Sequence, residues 1–274
     1  MLDRVRDQTE NLKRSLREKL KQAVDEVVSR YHHEQARELE SLREQVTSLQ
    51  HRLDRQSDYV REFEERSRKD IVFASDRDAA ADSGEFAQRH MSTAKHFPHP
   101  HQTLEHGLSL APSGGMALEF GVYTGTTLKI IATARGGEDV YGFDSFEGLP
   151  DNWRLGFPAG AFRVDGLPDV PGAELVVGWF DDTLPKFLEE HEGPVDFLHV
   201  DGDLYSSAKT VLELVGPRLR VGSIIVFDEF FNYPGWREHE YKAWEEFLAA
   251  SSIEAEYLAY THLNEQVVVR ITAV

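Results

Sequence analysis

Apolar residues recur at steps of three and four along the first seventy positions, and no Gly or Pro interrupts residues 2–69. Leu2, Val5, Thr9, Leu12 and Leu16 form one run; Leu39, Leu42, Val46, Leu49, Leu53, Val60 and Phe63 form another. Leu20, Val24, Val27 and Tyr31 continue the stripe in a shifted register. The remaining positions are rich in Glu, Arg, Lys and Gln. So narrow a seam cannot bury itself, and it predicts a long helix over 1–70 that seeks a partner helix in a coiled coil. Unbroken, the helix would run for roughly 100 Å at about 1.5 Å per residue. The register shifts predict local unwinding, or a break near Tyr31-His32-His33 that permits a hairpin. A helix folded back on its own chain is the alternative to self-association.

Over 71–84 the pattern fades into Asp, Ala and Ser and predicts a linker, with a second domain over 85–274. Residues 85–95 and 101–110 read as helices, separated by His96-Phe-Pro-His-Pro-His101. Two prolines make this a loop with solvated imidazoles, and the spacing of His96, His99 and His101 fits no zinc pattern. From Met116 onward, buried apolar runs alternate with helical patterns. Strands are predicted at 116–120, 139–143, 174–178, 195–200 and 222–227, and helices at 184–191, 205–214 and 238–250. Strands at 256–260 and 265–271 follow with no helix between them. This order predicts an α/β fold: a doubly wound, mostly parallel sheet with a C-terminal antiparallel hairpin, preceded by the N-terminal helical segment. Ligands of such sheets gather at the carboxyl ends of the strands, where the strand order reverses.

Charge changes the picture of partners. The net charge is −18, and residues 1–70 balance 16 basic against 16 acidic groups, so the rest of the chain carries the whole excess. A globular part this acidic repels a phosphate backbone, and a nucleic-acid substrate is excluded. No stretch has the ~18 apolar residues of a membrane helix, and the charged start lacks a secretory pattern. The chain has no Cys. Disulfides, thiolate metal sites and a cysteine nucleophile are therefore ruled out, and a cytoplasmic location is expected.

The candidate chemistry lies at the strand ends. Glu119-x-Gly121-x-x-x-Gly125, with Tyr123 between the glycines, joins the strand at 116–120 to a helical pattern. Glycines there let the backbone approach a ligand, and the helix N-terminus offers free N–H groups. Asp144 ends the next strand, 23 residues after Gly121. There it can accept the hydroxyls of a ribose or cap a turn. Asp201, Asp228 and Glu229 end two further strands. Crowded carboxylates repel one another, and a hard divalent cation such as Mg²⁺ relieves them; the alternative is solvated loop acids. Such an ion would hold a diol and lower the pKa of its hydroxyl. Asp203 is a candidate general base. His199 shares the strand face of Asp201 and either lines the site or packs inside. Phe230, Phe231, Tyr233 and Trp236 suit stacking on a sugar or aryl group, or core packing. The Gly- and Pro-containing stretch 147–162 is long enough to act as a lid.

Five segments occur in order: Leu118-Glu-Phe-Gly-Val-Tyr-Thr-Gly-Thr-Thr127, Tyr141-Gly-Phe-Asp-Ser-Phe-Glu-Gly-Leu-Pro150, Gly178-Trp-Phe-Asp-Asp-Thr-Leu-Pro185, His199-Val-Asp-Gly-Asp-Leu-Tyr-Ser-Ser207 and Val226-Phe-Asp-Glu-Phe-Phe-Asn-Tyr-Pro-Gly-Trp236. Together they resemble the macrocin/mycinamicin O-methyltransferase family, class I S-adenosylmethionine-dependent enzymes that methylate sugar hydroxyls of natural products. The resemblance covers residues 85–272 and leaves the N-terminal seventy outside it. It implies that Glu119, Gly121, Tyr123 and Gly125 frame the methionine end of S-adenosylmethionine, Asp144 and Ser145 the ribose, and Trp179, Phe180 and Asp181 the adenine. It implies Mg²⁺ on Asp201, Asp228 and Glu229, and a small-molecule or glycan acceptor. Family members often carry Asp-Asp where this chain has Asp228-Glu229, and the extra methylene bears on metal affinity. The expected function is O-methylation of a sugar or glycosylated compound by a coiled-coil homo-oligomer. A non-catalytic scaffold and an NAD-type oxidoreductase are the alternatives; Tyr123 in place of a middle glycine disfavours the second.

Overall fold

A strand of five fully buried residues, β2 (Met116–Phe120), forms the centre of an eight-stranded sheet in the computed structural model, which describes residues 2–274 and side chains from residue 11 onward. The chain divides into two units, Met1–Asp70 and Ile71–Val274. The first is one continuous helix, α1 (Leu2–Lys69). The break expected near Tyr31-His32-His33 does not occur. No Gly or Pro is present to cause one, and Tyr31 and His33 bond within the helix: Gln35 donates to the Tyr31 hydroxyl at 2.8 Å, and His33 Nδ1 lies 2.7 Å from the Ser29 carbonyl. Leu12, Leu16, Leu39, Leu53 and Phe63 stand more than half exposed on this helix. The expected seam residues Leu2, Val5 and Thr9 have side chains outside the described residues.

Residues 71–84, expected as a linker, belong instead to a helix of the second unit, α2 (Ile71–His90). Its Ala-rich middle favours a helix, and its buried face carries Ala79, Ser83 and Phe86. Phe86 packs among Phe230, Trp236, Tyr241 and Tyr257, with ring centroids 5.4–6.0 Å away. Ser83 Oγ accepts the Asn232 N–H at 2.8 Å, and Arg237 pairs with Asp82 at 2.8 Å. The composition of 71–84 is polar because most of the helix faces solvent, not because it lacks structure.

The remaining elements are β1 (Lys95–Phe97), α3 (Pro100–Leu110), α4 (Thr126–Arg135), β3 (Val140–Asp144), β4 (Glu174–Val177) and α5 (Phe180–Glu190). After them come β5 (Val195–Val200), α6 (Tyr205–Val215), β6 (Leu219–Phe227), α7 (Glu240–Ala250), β7 (Glu254–Thr261) and β8 (Val267–Ala273). The sheet order is β1-β7-β8-β6-β5-β2-β3-β4, and only β8 runs against its neighbours. The order reverses between β2 and β5, so the carboxyl ends of these two strands flank the crevice. Strand alternation splits the core into two layers. Leu128 and Ile131 of α4 and Leu104 of α3 cover one face; Leu184 of α5, Val211 of α6 and Trp244 of α7 cover the other. The short edge strand β1 was not expected. It places His96 against Tyr260 and His262. Among the described residues no metal-ligating group includes His96, His99 or His101, and no helix is long and apolar enough to cross a membrane.

Candidate active site

A cavity of about 550 Å³ opens at the crevice where the strand order reverses. That volume falls in the range of small-molecule and cofactor pockets. Its floor is built where β2 and β5 end. Asp201 N–H donates to the Phe120 carbonyl at 2.8 Å, which draws the two strand ends together. Gly121 follows with φ of 100°, and a Cβ built there would lie 1.7 Å from the Asp201 carbonyl oxygen. Only glycine fits that close approach. Gly121→Ala is expected to push the strand ends apart and leave a protein that melts earlier and does not bind the cofactor. Calorimetry and a thermal melt would show it.

The turn beyond Gly121 is tied to Asp144. One carboxylate oxygen accepts the N–H groups of Val122 and Tyr123 at 2.9 and 2.8 Å, and the other accepts that of Phe146 at 2.7 Å. A carboxylate has about four lone-pair sites, so three are committed to shaping the pocket wall. Of the two readings of Asp144 from sequence, the structure displays the turn cap, with one site left for a ligand. Ser145, Tyr123, Trp179, Phe180 and Asp181 line the same cavity. Gly125 and Glu119 do not: Gly125 caps α4 at φ of 74°, and Glu119 lies fully buried beneath the floor.

His199 is also buried rather than lining the cavity. Its Nδ1 lies 2.9 Å from Glu119 Oε1, and its Nε2 is 3.5 Å from Asp228 Oδ1. Burial disfavours the charged imidazole, but the carboxylates on both sides overcome it and hold the pKa well above the usual value. Asp228 is lowered by the same contact despite its burial. Burial raises Glu119, and the hydrogen bond with His199 offsets this only in part. A buried Glu119–His199–Asp228 chain thus braces three neighbouring strands, β2, β5 and β6.

Asp201, Asp203, Asp228 and Glu229 all reach the cavity. Their ligand atoms fall into two groups, each within 4.8 Å: Asp201, Asp203 and Glu229, and His199, Asp201 and Asp228. The expected trio Asp201–Asp228–Glu229 is not one of these two groups, although all three line the cavity. The all-oxygen group fits a hard divalent cation. The other includes His199, whose Nδ1 is engaged by Glu119 and whose Nε2 has no hydrogen-bond partner among the described residues. Glu229 Oε2 is buried with no hydrogen-bond partner among the described residues, as a ligand atom waiting for a cation would be.

Asp203 adopts a left-handed backbone, φ of 62°, at the cavity wall. Burial and then the nearby Asp228 raise its carboxyl to about 7, eased by Arg154. Burial and Asp228 likewise push Asp201 and Glu229 well up. Acids raised on folding bind more protons in the folded state, so stability falls as pH rises from their ordinary values, 3.8 for an Asp, toward about 7. Cation-free protein is therefore expected to melt lower at pH 8 than at pH 5. Added Mg²⁺ should raise the melting temperature more at pH 8, where protons no longer compete. A flat profile that Mg²⁺ leaves untouched would refute the crowded-acid account.

The stretch 147–162 contributes Gly148, Leu149, Pro150 and Phe162 to the cavity lining. Trp153 is buried, and the Arg154 guanidinium lies 4.0 Å from its ring centroid and 4.5 Å from that of Tyr233. Arg154 also pairs with Glu265 at 2.8 Å. Phe230, Phe231, Tyr233 and Trp236, candidates for stacking on an acceptor, are buried and belong to the core. Phe162 and Tyr123 are instead the exposed aromatic rings at the cavity, edge to face at 5.7 Å.

Residues 118–230 match the family described as a methyltransferase domain. Over 142 residues the chain is 30% identical to 8-demethyl-8-(2,3-dimethoxy-alpha-L-rhamnosyl)-tetracenomycin-C 4'-O-methyltransferase of Streptomyces olivaceus, covering 42% of this chain and 53% of that protein. Over 126 residues it is 29% identical to demethyldecarbamoylnovobiocin O-methyltransferase of Streptomyces niveus, covering 36% and 45%. The chain thus spans about half the length of the curated relatives it matches. Among solved structures, the calicheamicin methyltransferase CalS11 is similar with a TM-score of 0.51 and 27% identity, over 63% of this chain and 80% of that one. The matched segment, residues 118–230, resembles a methyltransferase domain, in line with the resemblance carried by the five motifs. By their names, the two curated relatives are O-methyltransferases.

Proposed function

We propose that the protein is an S-adenosylmethionine-dependent O-methyltransferase, assisted by Mg²⁺, that acts on a hydroxyl of a sugar or glycosylated small molecule. The observation that supports this best is one cavity lined both by the cation-suited acids Asp201, Asp203 and Glu229 and by Gly121 of the turn. Bound S-adenosylmethionine supplies a sulfonium-borne methyl group open to displacement by an oxygen nucleophile. The Gly121 turn, Asp144 and Ser145 hold the methionine and ribose side, and Trp179, Phe180 and Asp181 the adenine side. Asp201, Asp203 and Glu229 would hold Mg²⁺, with Asp228 lining the same cavity, and the ion would acidify a hydroxyl bound to it. Asp203, which lines the cavity with these acids, is the group that takes the acceptor's proton. Phe162 and Tyr123 offer apolar faces to the acceptor at the cavity mouth. The buried rings beside the cavity would exclude water, and holding acceptor and cofactor together in it would supply much of the rate.

The acceptor class follows from two supports. A diol on a sugar matches a cation-and-carboxylate wall, and the relative from S. olivaceus carries a rhamnosyl compound in its name. The exposed apolar seam of α1 pairs with a second copy of the chain, making the enzyme a homo-oligomer. The test is transfer of labelled methyl from S-adenosylmethionine to a panel of rhamnosyl and other deoxysugar glycosides, with aglycones as controls. Labelled glycoside with unlabelled aglycone is expected. Labelling of the aglycones alone would overturn the sugar assignment.

A further inference from the structure

Glu240 opens α7 and is fully buried, yet it does not line the cavity. Its Oε2 accepts the main-chain N–H of Glu229 at 3.0 Å. Its Oε1 has no hydrogen-bond partner among the described residues, and the same is true of Oε2 of Glu229. The Tyr233 hydroxyl donates to the Glu229 carbonyl at 3.2 Å, so side chains tie down both main-chain polar groups of Glu229. A buried carboxylate in an acidic neighbourhood is costly, and an apolar residue would fill the same space without that cost. Glu229 also carries one more rotatable bond than an Asp, so its carboxylate is placed only if its main chain is held.

We propose that Glu240 is a positioning residue: by fixing the Glu229 main chain it sets the Glu229 carboxylate among Asp201 and Asp203 at the cavity. This rests on reading those three acids as a cation site. Glu240 supports a glutamate at a position where the resembled family often has aspartate.

The test compares wild type with Glu240→Gln, which keeps an oxygen acceptor, and Glu240→Leu, which keeps similar bulk without one. Calorimetric titration with Mn²⁺ is expected to show affinity lowered about 10- to 100-fold in the Leu variant, the usual cost of losing an outer-shell partner. The Gln variant should stay near wild type. S-adenosylmethionine affinity should be unchanged in both, which separates a placed carboxylate from a damaged fold. Equal Mn²⁺ affinity in wild type and a folded Leu variant overturns the proposal, as does an equal loss in Gln and Leu. Should the Leu variant not fold, Glu240→Asp replaces it: the shortened side chain draws the acceptor away. Loss in Asp with retention in Gln supports the proposal, and wild-type affinity in Asp overturns it. If wild type itself takes up no Mn²⁺, the cation reading fails. Amide exchange at Glu229 then decides: faster exchange in Leu than in Gln supports the positioning role, and equal exchange overturns it.

Discussion

Asp203→Asn is expected to lower kcat by about 10²- to 10⁴-fold, the usual contribution of a positioned general base, while S-adenosylmethionine binding persists. The expectation follows from where Asp203 stands. It lines the cavity, its left-handed backbone turns it away from the strand ladder, and burial beside Asp228 raises it to about 7. An ordinary Asp would be too weak a base to take a hydroxyl proton efficiently. The amide keeps the size and loses the lone pair that accepts the proton. Wild-type kcat should rise with pH as Asp203 ionises, below about 7 once a bound cation favours its carboxylate, and then level off; the residual activity of the variant should lose that step. A variant with unchanged kcat would remove Asp203 from the chemistry.

His199→Ala is expected to act on stability instead. The imidazole carries its charge between Glu119 and Asp228, and Glu119 has no exposure to water. Removing one partner of a buried ionic group leaves the others uncompensated, at a cost of about 3–5 kcal/mol. For a unit of this size that corresponds to a melting temperature lower by roughly 6–20 °C. Thermal denaturation of the variant checks this. An unchanged melting temperature would mean that the chain of three side chains braces nothing.

The two residues illustrate what the sequence makes legible. Buried runs ending in acids mark the sheet, the crevice and Asp144, Asp201, Asp203, Asp228 and Glu229 at the cavity, because strand ends and glycine turns are local signals. Asp182, which lines the cavity from the start of α5, carries no such signal. Which way a strand-end side chain points is less local. His199 was a candidate for lining the site, and its place beneath the floor depends on Glu119, eighty residues earlier, arriving on the adjacent strand. The aromatic residues 230–236 likewise read as a stacking loop until α2 brings Phe86 against them. That helix itself resembles a linker, since its burial rests on Ala79, Ser83 and Phe86 meeting partners far along the chain. Glu240 had a signal that went unread: it lies three and four residues before Ala243 and Trp244, on the apolar face of its helix. An acid on an apolar stripe is a residue with a buried partner.

The most direct test is calorimetric titration of the purified protein with S-adenosylmethionine, with and without Mg²⁺. Saturable binding at one site per chain is expected, and it should be lost in Gly121→Ala. No binding under either condition would contradict an enzyme at this crevice.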